Sequence, residues 1–247
     1  MAGGTMAALR RLNQGANSGL DWRLRWCPVC ASTETELDRW LEKGARPPLA
    51  VLAARQVHGH GQRGRAWSSP PGGIWISAAL PWPEQAEGTA ALGPAVAVGL
   101  ALQLEALGLL PRLKWPNDLL LDGRKVAGLL PRLRLRGGRI RWAQVGLGLN
   151  GHNRVPPGAV SVATALGRGR SPGSTAALGA RVLTALDWAA RHSLAPERVR
   201  FEAQRRLELP IQAVPFEGEL WQAVGLGLDG ALELARGGRR ARMLRLF

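Results

Sequence analysis

Leu37, Trp40 and Leu41 recur at the spacing of one helical face. Ser32-Thr33-Glu34 stands before them, where either hydroxyl can cap a first turn, and Gly44 is a natural stop after them. The same reading predicts helices over 90–107, ended by Gly108, over 176–191 and over 196–207, with a short one possible within 154–172. Apolar runs of strand length occupy 49–54, 74–80, 112–115, 119–121 and 140–147, and 124–136 returns from a hairpin at Asp122-Gly123. Gly137-Gly138 turns the chain again. From Leu209 onward short strands are broken by Asp229-Gly230 and Gly237-Gly238, which predicts a small β-barrel. Strands thus dominate the middle as hairpins, with too few intervening helices for a doubly wound parallel sheet. The pattern divides the chain into a flexible lead over 1–27, a main domain over 28–207 and a small β domain over 208–247.

Composition and charge change this picture. Lys plus Arg number 33 against 18 Asp plus Glu, a formal net charge of +15. That balance admits nucleic acid, a membrane surface or an anionic substrate as partner, but the arginines are spread without a basic block, which favours a basic surface with anionic ligands. Only Lys43, Lys114 and Lys125 are lysines, and two of them fall in one stretch. Where Arg is the default cation, a compact ammonium marks a place to look. Finally, the N-terminus has no apolar core of a signal peptide, and the longest apolar run, 90–102, is interrupted by Pro94 and too short to span a bilayer. Cys27 and Cys30 have neither a second Cys pair nor a well-spaced His pair, so they read as incidental thiols. These features point to the cytosol.

The stretch that carries chemistry is Lys114 to Leu130, KWPNDLLLDGRKVAGLL. Pro116 pushes Trp115 toward extended geometry, so Lys114, Asn117 and Asp118 gather at a strand end held by a short hairpin. One cation and one carboxylate presented rigidly suit a phosphate-bearing substrate and its metal. A second candidate is the loop Gly59-His60-Gly61-Gln62-Arg63-Gly64-Arg65. Its glycines let backbone approach a ligand and its N–H groups can form an anion nest. Residues 59–64, 146–151 and 225–230 each match G-x-G-x-x-G, but no helix follows any of them, which excludes a dinucleotide-binding fold.

Four motifs in order resemble those of the biotin–protein ligases: Ser32-Thr33 opening a helix, the GHGQRGRAWSSPPGG loop, the KWPND stretch, and GLGLN at 146–150. The C-terminal VGLGLDGALEL is similar to the family's small SH3-like domain. The resemblance implies an α+β fold: a mixed β-sheet with helices mainly on one face, akin to class II aminoacyl-tRNA synthetases, plus that small barrel. It implies ATP-dependent biotinylation of a lysine on the biotin carboxyl carrier protein of acetyl-CoA carboxylase, through biotinoyl-adenylate, with ATP, biotin and Mg²⁺ required. The implied biotin contacts are Ser32, Thr33, Gln56, Gly59, His60, Gly61 and Gln62. The implied nucleotide contacts are Arg63, Arg65, Trp67, Asn117, Asp118, Lys125 and Asn150. Lys114 is the implied catalytic cation and Asp118 the implied metal ligand.

The sequence departs from the family in the loop, where His60 and Gln62 stand for arginines, and after the central motif, where Pro131-Arg132 replaces an acidic position. Gln62 offers a neutral amide in place of a charge-assisted contact, which predicts a loop that closes less firmly. The lead is too short for the DNA-binding domain of the regulatory members, so no specific DNA binding is expected, and the chain is expected to work as a monomer or homodimer away from membranes. Two other readings remain: a lipoate or octanoyl ligase of related fold, and a basic RNA-binding module with a decayed site.

Overall fold

The alternation of apolar residues along two neighbouring strands decides where everything else packs. In β2 (Leu49–Gln56) and β3 (Ile74–Leu80), Ala50, Leu52, Ala78 and Leu80 turn to one face, and Leu49, Val51 and Ala79 to the other. Both sets are buried, so both faces must be covered. The computed structural model describes residues 1–13, 19–85, 87 and 89–244.

Seven strands form the main sheet: β1 (Arg23–Cys30), β2, β3, β4 (Arg112–Lys114), β5 (Asp118–Leu121), β6 (Arg124–Arg136) and β7 (Arg139–Leu149). Their order is β1-β2-β3-β7-β6-β5-β4. Only β1 and β2 pair in parallel; every other pair is antiparallel. Asp122 and Gly123, at φ 48° and 71°, turn β5 into β6, and Gly137 and Gly138, at 58° and 74°, turn β6 into β7. Two successive positive φ values are what the right-handed strand twist asks of a two-residue hairpin.

The broad helical layer comprises α3 (Leu92–Glu105), α5 (Thr175–Arg191) and α6 (Pro196–Arg206). α3 is apolar nearly all round and buries Leu92, Val96, Val98, Leu100 and Leu104 between the sheet and α5. The opposite face receives α2 (Thr33–Glu42), whose Leu37 meets Leu49, Val51 and Ala79. The expected mixed sheet with helices mainly on one face is therefore present. A short α4 (Val162–Leu166) follows the sheet.

The expected flexible lead is not what the structure shows. Residues 2–12 form α1 (Ala2–Leu12), docked on α5 with Thr5, Ala8 and Leu9 buried, and 23–30 form edge strand β1. Burial holds this segment in place. Trp22 is 3% exposed and its Nε1 donates to Asp187 Oδ1 of α5 at 2.8 Å, while Leu20 N donates to the same oxygen at 3.1 Å. Residues 14–18 of that lead, and 245–247 of the expected β domain, lie outside the described residues.

The C-terminal residues form β8 (Val214–Phe216), β9 (Glu219–Leu226), β10 (Leu232–Arg236) and β11 (Arg239–Met243), paired β11-β10-β9-β8. Among the described residues β8 and β11 do not pair, so this is an open four-stranded antiparallel sheet where a closed barrel was expected. Its Trp221, Ala223, Leu226, Leu232 and Leu234 join the main core, and among the described residues Leu226 N bonds to Gln204 Oε1 at 2.9 Å and Trp115 Nε1 to Gly230 O at 3.0 Å.

Candidate active site

On the face away from the helical core, β6 and β7 present glycine where a side chain would stand. Leu129, Leu147 and Leu149 turn into the core, and the alternate positions are Gly128, Gly146 and Gly148. Gly128 pairs across the ladder with Gly148, and Leu130 with Gly146. The missing side chains leave the floor of a cavity of about 350 Å³. Trp67 lies over this floor. A Cβ on Gly148 would come within 2.6 Å of its indole, and one on Gly128 within 2.9 Å.

One end of the cavity is neutral and rich in hydrogen bonds. Ser32 caps α2 by accepting from Glu34 N, and Thr33 follows as the first helical residue. Gln56 Oε1 accepts from Thr33 N at 2.8 Å and Thr33 Oγ1 at 3.0 Å; its Nε2 donates to Ser69 Oγ at 2.9 Å. Thr33 Oγ1 and Ser77 Oγ are 2.8 Å apart. Each hydroxyl retains capacity for a further partner.

The other end is charged. Lys125 Nζ sits 2.6 Å from Asp118 Oδ1 and 4.8 Å from the centre of the Trp67 ring. Asp118 Oδ1 is buried and paired by charge, without a well-aligned hydrogen bond. Asn117 donates from Nδ2 to Leu129 O at 2.6 Å. Trp67 Nε1 is buried with no hydrogen-bond partner among the described residues.

The lining thus brings together most of the residues expected from the sequence: Ser32, Thr33 and Gln56 at one end, Asn117, Asp118 and Lys125 at the other, and His60, Gly61, Gln62, Arg65 and Trp67 along the loop between them. Four expected residues do not line it. Gly59 is packed against Trp67 O, Ser69 and Gln56. Arg63 is exposed, with a left-handed backbone at φ 56°. Asn150 is buried; its N donates to Val126 O at 2.9 Å and its Oδ1 accepts from Asn153 at 3.1 Å, so it fixes the start of β6. Lys114 is exposed at the end of β4, and the register sets it opposite Asp118, which does line the cavity.

Sequence reasoning missed Ser77, Ser69 and Glu34. Ser77 carries no motif and enters through strand pairing alone, and Ser69, inside the quoted loop, enters through its bond from Gln56. Glu34, at 9% exposure, accepts from His60 Nε2 at 2.7 Å with one oxygen and pairs with Arg132 Nη1 at 2.7 Å with the other. Its signal was an acidic residue on the cavity side of a helix start. The two cysteines stand just before this helix, and both thiols are free. Burial, with the neighbouring Cys27 adding to it, pushes Cys30 up to about 11, so its thiolate is scarce near neutral pH.

The model of the Biotin/lipoate A/B protein ligase family matches residues 26–150, the span from β1 to Asn150 that holds nearly every wall of the cavity. The chain belongs to this family. Its relatives include the bifunctional ligase/repressor BirA of Bacillus subtilis (strain 168), 33% identical over 144 residues that cover 56% of this chain and 44% of that protein. Another is the biotin–[acetyl-CoA-carboxylase] ligase of Paracoccus denitrificans, 38% identical over 116 residues, covering 44% of this chain and 47% of that one. The matched region is thus less than half the length of these curated relatives. Among solved structures, a biotin protein ligase from Aquifex aeolicus in complex with biotin and ATP superposes with a TM-score of 0.72 over 90% of this chain and 96% of that one, at 22% identity. At that identity the match establishes the shared fold.

Proposed function

We propose that this protein is an ATP-dependent biotin–protein ligase that biotinylates a lysine of a biotin carboxyl carrier protein, by way of biotinoyl-adenylate. The observation that carries the reading is one cavity with two unlike ends: hydroxyls and an amide at Ser32, Thr33, Gln56 and Ser77, and a Lys125–Asp118 pair at the other, joined by a glycine floor. The ureido ring of biotin has donors and acceptors to match the first end. Its acyl chain fits along Trp67, and its carboxylate then points to the second end.

In the first step a carboxylate oxygen of biotin attacks the α-phosphorus of ATP and pyrophosphate leaves. In the second, the carrier lysine's neutral amine attacks the acyl carbon and AMP leaves. Negative charge builds at the carboxylate–phosphate junction in the first step, and Lys125 and Lys114 are the cations proposed to stabilise it. Gly61 and Arg65 belong to the loop proposed to cover the adenylate. Asp118 is the carboxylate proposed to hold Mg²⁺. One carboxylate together with substrate phosphates is a common arrangement for that ion, and Asp118 lines the cavity at its charged end. When bound, the ion neutralises phosphate charge; among the described residues no group of three or more acidic, His or Cys side chains gathers, so it is not caged by protein.

In this reading the main sheet with its helices, α1 and β1 included, is the catalytic domain, the open C-terminal sheet is an accessory, and the enzyme works in the cytoplasm as a monomer or homodimer. The test is incubation with ATP, Mg²⁺ and a carrier domain, with biotin or lipoate in parallel, read by intact mass of the carrier. Biotin added to one lysine supports the reading. Lipoate transfer in place of biotin would move the substrate to the other branch of the family, and salt-sensitive RNA binding without either transfer would favour a binding module.

A further inference from the structure

Among the described residues two side chains tie the glycine loop to the rest of the molecule: Trp67 packs its far end over the cavity floor, beside Lys125 and Trp75, and His60 bonds its near end to α2. Within the loop, Gly61 N bonds to Arg65 O, and Trp67 N to Gly59 O, so 59–67 is a small hairpin closed on itself. Gln62, Arg63 and Arg65 make no side-chain hydrogen bond or ion pair among the described residues. His60 does: its Nε2 donates to Glu34 Oε2 at 2.7 Å. Glu34 in turn is held by Arg132 of β6 through its other oxygen at 2.7 Å. One turn further along α2, Asp38 repeats the arrangement, accepting from Arg134 Nη2 at 3.0 Å and Gln144 Nε2 at 2.9 Å. Two acidic residues four apart on a helix thus meet two arginines two apart on a strand, which fixes α2 across β7 and β6.

We propose that Glu34 is a positioning residue: it latches the glycine loop, through His60, to the α2–β6 frame, and so holds the loop as a wall of the cavity. This rests on the ligase reading for its purpose but not for its geometry. The loop lacks two of the arginines expected at 60 and 62, and the latch supplies from this chain's own residues a tether that those arginines do not. Because Glu34 is 9% exposed and anchored on its far side by Arg132, its carboxylate cannot swing out with the loop. A charge-assisted contact to a fixed partner is the stronger class of hydrogen bond, so its loss is felt in loop position.

Two measurements test this. The first needs no ligand: limited trypsin digestion of the folded protein, following the peptides that end at Arg63 and Arg65. Glu34→Gln, which keeps the side chain's size, is expected to raise cleavage at those two bonds about tenfold, a shift of about 1.4 kcal/mol in opening. Cleavage within α5 should stay unchanged. The second is the dissociation rate of bound biotin. Glu34→Gln should raise it with little change in melting temperature. His60→Arg should slow it in the wild-type background and have no effect beside Glu34→Gln, because an Arg at 60 has no latch partner there. Unchanged cleavage at Arg63 and Arg65 in Glu34→Gln would overturn the latch. So would an equal effect of His60→Arg in both backgrounds. A wild-type protein that binds no biotin defeats the ligase reading, and the proteolysis then decides the latch alone.

Discussion

At the residue scale, the cavity exists because glycine occupies three positions of the β6–β7 ladder, and this was only half legible. GLGLN stood out in the sequence, but that its Gly148 faces Gly128 under Trp67 depends on register. Gly148→Ala is expected to push the indole off the floor. Overpacking of this kind costs about 1–3 kcal/mol, and here it should appear as weaker biotin affinity, measured by titration calorimetry, with the fold retained. The lysines were the clearest prompt, and they came apart on inspection: Lys125 lines the cavity and Lys114 stands exposed beside it, opposite Asp118. Lys114→Ala is still expected to slow adenylate formation by about a hundredfold or more, the effect of removing a cation aimed at developing charge. Biotin-dependent pyrophosphate release at the wild-type rate from a folded Lys114→Ala protein would remove it from the mechanism and leave Lys125 as the working cation.

At the element scale, the hairpins were legible because Asp122-Gly123 and Gly137-Gly138 have few alternatives, whereas α1 and β1 were not. α1 has Gly3 and Gly4 in its first turn and a narrow apolar face, and β1 carries arginines and Pro28. Both elements form because tertiary contacts reward them. Pro28 is tolerated since β1 is an edge strand, and α1 is fixed by α5 rather than by propensity. The anchor is Asp187, whose carboxyl burial pushes above the ordinary aspartate range against the opposing pull of its bonds from Trp22 and Leu20. The folded protein therefore holds this proton more tightly than the unfolded chain does. The associated stability is fullest below the unfolded value near 3.9 and is lost as pH rises through the folded value. Asp187→Asn, which keeps the acceptor without the charge, is expected to flatten that decline in urea-denaturation midpoints. Asp187→Ala is expected to destabilise the protein by about 1–3 kcal/mol, because the Trp22 and Leu20 donors lose their partner. A decline with pH as steep in Asp187→Asn as in the wild type would show that another group is responsible.

At the scale of the whole molecule, the order of motifs gave the family, and the sheet explains why they are so far apart in the chain. The Ser32-Thr33 helix start, the loop after β2, the Asn117-Asp118 turn and the end of β7 converge only because the strand order places β3 and β7 between β2 and β6. The C-terminal sheet meets this assembly at the Trp115 indole, in the turn between Lys114 and the cavity-lining Asn117 and Asp118. The central claim is that one cavity joins biotin to the α-phosphate of ATP, and it is tested by the enzyme alone, without a carrier. Incubated with ATP, Mg²⁺ and biotin, then quenched and read by mass spectrometry, the protein is predicted to yield biotinoyl-adenylate and pyrophosphate. No such adduct should form when lipoate or octanoate replaces biotin. Absence of a biotin adenylate from folded protein, or an equal yield with lipoate, would contradict the account.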